Sequence, residues 1–140
     1  SCFPRNTRVI MADGSKKPIQ DIVVGDKVLS GSGKPVTVIK LMKPIENYVY
    51  EVMAANGIVE TTPTQSFMMA DGTWKMLQDF GQVEILKDMG PLIKISYYAR
   101  LRVYDFETDG ENSYVVDGGM GKGGFTVNGG CDELWEKEEA

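Results

Sequence analysis

The chain has 140 residues and a net charge of −5, too acidic to favour nucleic acid or an anionic membrane, both of which select Lys/Arg patches. It contains no histidine, which excludes His-based triads and His-ligated metal sites, and its two cysteines make neither a disulfide framework nor a zinc site alone. The length suits one domain with a substantial core, and no apolar run approaches a membrane span. The opening residues show no secretory pattern, so a cytoplasmic location is expected. Acid–base work falls to carboxylates, amides, thiols or lysines.

Past the first residues, short β-type runs occur at 9–11, 28–30, 36–41, 48–53 and 58–61, punctuated by Gly, Pro and Asp. Alternation in Thr37-Val38-Ile39-Lys40 and Tyr48-Val49-Tyr50-Glu51-Val52 marks strands with two different faces. Ser32-Gly33-Lys34-Pro35 reads as a turn, and Asn56-Gly57, between two runs, as a hairpin signal. Then the chain starts again. Met69-Ala70-Asp71-Gly72, continuing through Leu77-Gln78-Asp79-Phe80, repeats Met11-Ala12-Asp13-Gly14 and Ile19-Gln20-Asp21-Ile22 at the same spacing. Val103-Tyr104-Asp105-Phe106 answers Val49-Tyr50-Glu51-Val52. Two matched segments in one order predict duplication of a unit of about half the chain, arranged as a pseudo-twofold pair of sheets sharing one core. Further on, strands at 113–116 and 125–127 bound a glycine-rich stretch that reads as a long hairpin loop, and the acidic residues 132–140 suit a short helix or tail.

The opening, Cys2-Phe3, Thr7-Arg8-Val9, Asp13-Gly14, Ile19-Gln20-Asp21-Ile22 and Gly25-Asp26-Lys27-Val28-Leu29, resembles the first block of the Hint family. That family comprises inteins, bacterial intein-like domains and hedgehog autoprocessing domains. The resemblance implies an all-β, pseudo-twofold duplicated, horseshoe-like fold over residues 1–131, with 132–140 as an acidic tail or flanking segment. It also implies self-processing, in which the Cys2 sulfur attacks the carbonyl of Ser1 and turns the amide into a thioester. Thiols suit this step, being appreciably nucleophilic near neutral pH.

The same resemblance implies the site. Where the family carries Thr-x-x-His, this chain has Thr62-Pro63-Thr64-Gln65. Thr62 is then expected on the scissile carbonyl or its oxyanion, and Gln65 on the departing nitrogen of Cys2, to which an amide hydrogen-bonds but gives no proton. Asp105 matches the aspartate of the family's Val-Tyr-Asp-Leu block, leaving it to move protons at Cys2; read without the resemblance it is a solvated carboxylate on a strand. Glu111-Asn112-Ser113-Tyr114 stands where the family continues His-Asn-Phe/Tyr. Val127-Asn128-Gly129-Gly130-Cys131 is nearest to the closing Val-His-Asn that precedes Cys, Ser or Thr, in two registers. Asn128 replaces either the histidine or the terminal asparagine, and in the second case Cys131 is displaced. Neither register completes a splicing site, and Asn128-Gly129 read alone is a tight turn.

The resemblance thus gathers Cys2, Thr62, Gln65, Asp105, Asn128 and Cys131 in one cleft, with no cofactor and no metal. The substrate is the flanking polypeptide in cis, the acyl acceptor is water, a small thiol or an amine, and the chain acts as a monomer without nucleic acid or membrane. The other reading is a degenerate Hint fold kept as a structural or interaction module, which the missing histidines favour.

Overall fold

The structure, a computed structural model, describes residues 2–130. The first half supplies β1 (Phe3–Pro4), β2 (Arg8–Ile10), β3 (Lys16–Pro18), β4 (Lys27–Leu29), β5 (Pro35–Leu41), β6 (Ile45–Ala54) and β7 (Gly57–Thr61). The second supplies β8 (Ser66–Met68), β9 (Trp74–Met76), β10 (Ile85–Leu86), β11 (Gly90–Tyr104), β12 (Phe106–Thr108), β13 (Ser113–Asp117) and β14 (Gly124–Asn128). Single turns of 3-10 helix follow β3 and β9, at Ile19–Asp21 and Leu77–Asp79. The strands form three sheets, in the orders β1-β11-β6-β7 with β10 on β11, β12-β5-β4, and β3-β2-β13-β14-β8-β9. The all-β expectation holds; the helix or tail at 132–140 and Cys131 lie outside the described residues.

The repeat is local chemistry done twice. Asp13 accepts the amide and hydroxyl of Ser15 at 2.9 and 2.6 Å, and Asp71 accepts those of Thr73 at 3.0 and 2.7 Å. Gly14 and Gly72 supply the left-handed step at φ +87° and +84°. The ion pair Lys17–Asp26 (2.8 Å) is answered by Lys75–Glu84 (2.9 Å), and the strand pair Lys27↔Thr37 by Ile85↔Pro91.

Two further correspondences decide the architecture. Phe3↔Tyr104 matches Thr61↔Tyr50, and Val9↔Val116 matches Phe67↔Val127. The twofold therefore runs through the sheets, between β6 and β11 in one and between β13 and β14 in another. It does not relate two separate sheets, as the repeat alone suggests. The physical reason is edge satisfaction: β6 and β11 satisfy one another's backbone, so neither half completes its hydrogen bonding without the other.

One core, with Val9, Val28, Phe67, Leu86, Phe106, Tyr114 and Phe125 among its members, fills the space between the sheets. A small satellite of Cys2, Met42, Val49 and Val103 sits beside it. β11, the longest strand at 15 residues, was marked in the sequence only at its end. Irregularities in its register at Leu92/Lys94 and Tyr97/Ala99 interrupt the two-residue period by which a strand is read.

The β6–β7 hairpin also departs from expectation. The last pair is Ala54↔Gly57, so the turn residues are Ala55 and Asn56. Gly57 serves packing instead: a Cβ there would lie 2.9 Å from Gly118 Cα, 2.9 Å from Met89 Sδ and 3.2 Å from Phe125 Cε2. Gly57→Ala is expected to lower unfolding free energy by about 1–3 kcal/mol, the usual cost of overpacking, read as a lower urea midpoint. An unchanged midpoint would show that the hairpin does not pack on the Gly118 loop.

Candidate active site

Cys2 is placed by backbone pairing. β1 runs antiparallel to the end of β11 through Phe3↔Tyr104 and Pro4↔Val103, and one step further the register sets Cys2 opposite Asp105. Pro4 is tolerated because β1 lies at the sheet edge. The other side of Cys2 is held by the end of β7. Thr61 Oγ1 donates to the Cys2 carbonyl at 2.7 Å, and the Thr62 amide donates to the same oxygen at 3.3 Å. The Cys2 amide in turn donates to Thr62 Oγ1 at 3.2 Å. Two adjacent threonines thus clamp the backbone of a residue that is 1% exposed.

This geometry revises the role expected of Gln65 at the Thr-Pro-Thr-Gln loop. The Thr62 hydroxyl accepts from the Cys2 nitrogen, while the scissile carbonyl on which it is expected lies outside the described residues. Gln65, expected on that nitrogen, turns away from it. Its Nε2 donates to the Ser66 carbonyl (2.9 Å), to Asn128 Oδ1 (3.0 Å) and to the Asn128 carbonyl (3.3 Å). The cause is the turn closed by the Gln65 amide on the Thr62 carbonyl at 3.1 Å, after which β8 runs beside β14 with Phe67 opposite Val127. Gln65 therefore ties the loop to the end of the chain.

Asn128 is the last residue of β14 and not part of a tight hairpin turn. Beyond it, the Gly129 amide donates to the Asn112 carbonyl (2.9 Å) and the Gly129 carbonyl accepts from Asn112 Nδ2 (3.0 Å). Asn112 thus grips Gly129 on both sides; the sequence pointed to its neighbourhood through the missing His-Asn-Phe/Tyr block but assigned it no role.

Asp105 lies in the break between β11 and β12, and at 3% exposure it is not the solvated strand residue of the simpler reading. Its Oδ1 accepts from the Phe106 amide and from the Tyr114 hydroxyl, each at 2.8 Å. Asp105 Oδ2 and Gln65 Oε1 are buried without a hydrogen-bond partner among the described residues. Burial holds the Asp105 carboxyl well above the usual carboxylate range, against the opposing pull of the Tyr114 and Phe106 donors. Burial likewise pushes the Cys2 thiol up to about 12, with the Asp105 charge adding and the Thr62 hydrogen bond opposing. The Tyr114 phenol is raised by burial and then by Asp105. Each shift runs toward the uncharged form, thiol, carboxylic acid or phenol, as burial favours. Tyr114 and Thr61 were not singled out in the sequence; a tyrosine inside the block that lacks histidine was the one available signal.

The residues meet, but they do not line an open cleft. Cys2, Thr62, Gln65 and Asp105 are all buried. Of these four, Asp105 lines a hollow of about 380 Å³, between residues that include Ile22, Met42, Tyr104 and Phe106.

Residues 2–70 match the family described as Hom_end-associated Hint. The first half of the chain matches a Hint family, and the whole has the Hint fold. The chain is 34% identical over 67 residues to the catalytic subunit of the V-type proton ATPase from Candida tropicalis, covering 48% of this chain but 6% of that protein. Similar solved structures include a DnaB intein from Synechocystis sp. PCC 6803 (TM-score 0.78, 16% identity, 93% of this chain and 99% of that one). A bacterial intein-like domain from Clostridium thermocellum superposes at TM-score 0.74 with 18% identity over 91% of this chain and 98% of its own. The gp41-1 intein does so at 0.73 and 18% over 89% and 97%. At these identities the Hint fold is what is shared.

In this Hint fold the buried acid has a consequence for stability. Asp105 keeps its proton in the folded state to higher pH than in the unfolded chain. Its contribution is whole below the unfolded carboxylate pKa and declines as pH rises toward the folded value, at about 1.4 kcal/mol per pH unit. Asp105→Asn, which imitates the protonated acid, is expected to flatten that decline. Urea unfolding of both proteins from pH 4 to pH 8 checks it: the variant's advantage grows with pH, and parallel curves would contradict a buried acid.

Proposed function

We propose that this Hint-fold chain is an autoprocessing domain that cleaves or transfers the polypeptide preceding Cys2. The Cys2 thiol attacks the Ser1 carbonyl, the Ser1–Cys2 amide becomes a thioester, and water, a thiol or an amine then takes the acyl group. The observation that carries this reading is the clamp on Cys2, with its amide nitrogen on Thr62 Oγ1 at 3.2 Å and a buried acid opposite in the register. Thr62 fixes the leaving nitrogen, and Asp105 is the group able to protonate it as the C–N bond breaks. Gln65 serves the closing end, where its amide bonds both the carbonyl and the side chain of Asn128. The match to a short part of a much longer curated protein favours a domain set within a larger polypeptide.

The rate comes from orientation. With a thiol pKa of about 12 little thiolate exists near neutral pH, and its share rises tenfold per pH unit below that value. A reporter fused upstream of Ser1 is expected to be released slowly by dithiothreitol or hydroxylamine, faster as pH rises until Asp105 ionises. Cys2→Ala should abolish release, and Thr62→Ala should slow it by about 10- to 100-fold through loss of alignment. Release that survives Cys2→Ala would be proteolysis and would leave the domain as a structural module.

A further inference from the structure

We infer that Tyr114 is a positioning residue, whose hydroxyl joins the Phe106 amide on Asp105 Oδ1 and so leaves the carboxyl proton on Oδ2, the oxygen able to serve Cys2. This rests on the reading of Asp105 as the acid at the Cys2 nitrogen. Hydrogen-bond capacity decides between the two oxygens. A carboxyl oxygen has two lone pairs in its plane, and Oδ1 receives two donors at 2.8 Å each. A proton on Oδ1 would displace one of them, whereas Oδ2 has no partner to displace among the described residues.

The direction of the Tyr114 bond follows from the same count. Asp105 is the one hydrogen-bond partner of the Tyr114 hydroxyl among the described residues. Were the tyrosine to accept from the acid, its own O–H would be buried without an acceptor, a cost folding avoids. The ring cannot swing away. It stacks on Phe106 with centroids 4.1 Å apart and meets the edge of Phe3, the neighbour of Cys2, at 6.2 Å. One rigid ring therefore contacts both residues that adjoin the reacting pair.

The proton balance of the acyl shift shows what the placement does. The Cys2 sulfur bonds the Ser1 carbonyl carbon, the Ser1 C–Cys2 N bond breaks, and that nitrogen takes the Oδ2 proton. The proton released by the thiol restores the carboxyl, so Asp105 ends as it began. With the proton shared between both oxygens, part of the population presents the nitrogen with a lone pair where it needs a donor.

Among the described residues, the titratable groups around Asp105 are Cys2 on the flank of β1, Glu107 on β12 and Tyr114 on β13. Of these, Tyr114 alone donates to the carboxylate, so removing its hydroxyl disfavours the charged form and raises the Asp105 pKa. Y114F keeps the ring, and its melting curve checks the fold. Infrared spectra of the chain with isotope-labelled aspartate should show the protonated Asp105 C=O band moving to higher frequency in Y114F. Reporter release should slow by about 3- to 10-fold, a part of what a positioned general acid contributes, and its alkaline limit should move up by about 1–2 pH units. Fluorotyrosine at position 114, a stronger donor, should move band and limit the other way. Slower release with neither band nor limit moved would mean that the ring only packs, and would overturn the proposal. Release indifferent to Cys2→Ala would remove the autoprocessing reading, while the band shift would still report the tyrosine's hold on Asp105.

Discussion

Two residue pairs hold this site together. Phe3↔Tyr104 and Pro4↔Val103 fasten the start of the chain to a strand from its second half, and the surroundings of Cys2 follow from that fastening. It sets Cys2 opposite Asp105, lays the Cys2 backbone on Thr61 and Thr62, and buries the thiol in the satellite core with Val49 and Val103. A strand of two residues has little stability of its own. The pairing lasts because Phe3 is wholly buried in the main core, where it meets Tyr114 edge-on.

The twofold supplies a built-in comparison. Under it Cys2 corresponds to Glu60 and Asp105 to Glu51, and Glu51 and Glu60 stand directly opposite one another. Gln65 corresponds to Thr7, whose carbonyl takes the Ile19 amide at 2.8 Å just as the Gln65 carbonyl takes that of Leu77 at 2.9 Å. Asn128 corresponds to Asp117, whose carboxylate is paired with Arg8 at 2.8 Å and Lys16 at 3.2 Å. The frame is the same in both places and the chemistry is not. Glu60 is raised by burial and then by Glu51, a like-charge contact tolerated where solvent still reaches both side chains. At the other end the pair is buried, and there the two carboxylates are replaced by a thiol and an acid whose neutral form burial favours.

How far this was legible in the sequence varies with the physics involved. Turns repeat because Asp, Gly and a hydroxyl residue dictate them locally, so the duplication was readable from Asp13-Gly14-Ser15 and Asp71-Gly72-Thr73. The resemblance pointed to Cys2, Thr62, Gln65, Asp105 and Asn128 as candidates. Which atom bonds which was not. Thr62 and Gln65 differ by three positions, and whether either reaches the Cys2 nitrogen depends on a turn and on strand pairing between distant segments. Tyr114 escaped for the same reason: its hydroxyl finds Asp105 across two sheets, and its place within residues 111–114 signals a tyrosine but not that partner. β11 was lost to its bulges, and Gly57 was assigned to a turn when its bare Cα serves the approach of Gly118.

A site without histidine has to find its proton donor by displacement. Burial raises the Asp105 carboxyl, which suits the acid role proposed for it, and the same burial raises the Cys2 thiol, away from the thiolate. The two effects are inseparable because the groups share one pocket of low polarity, and charge on Asp105 raises the thiol further. A pre-formed thiolate beside a carboxylate is therefore the arrangement this interior disfavours most. A neutral thiol whose proton leaves as the acid gives one up avoids accumulating charge at any moment. Such a relay is slow unless the atoms are already aligned, and well-oriented intramolecular reactions reach effective molarities of about 10⁵–10⁸ M. In the proposed acyl shift, alignment is what the threonine clamp and the tyrosine would supply: Cys2 is fixed at its nitrogen and carbonyl, and Asp105 at one oxygen, leaving the other for the proposed reaction.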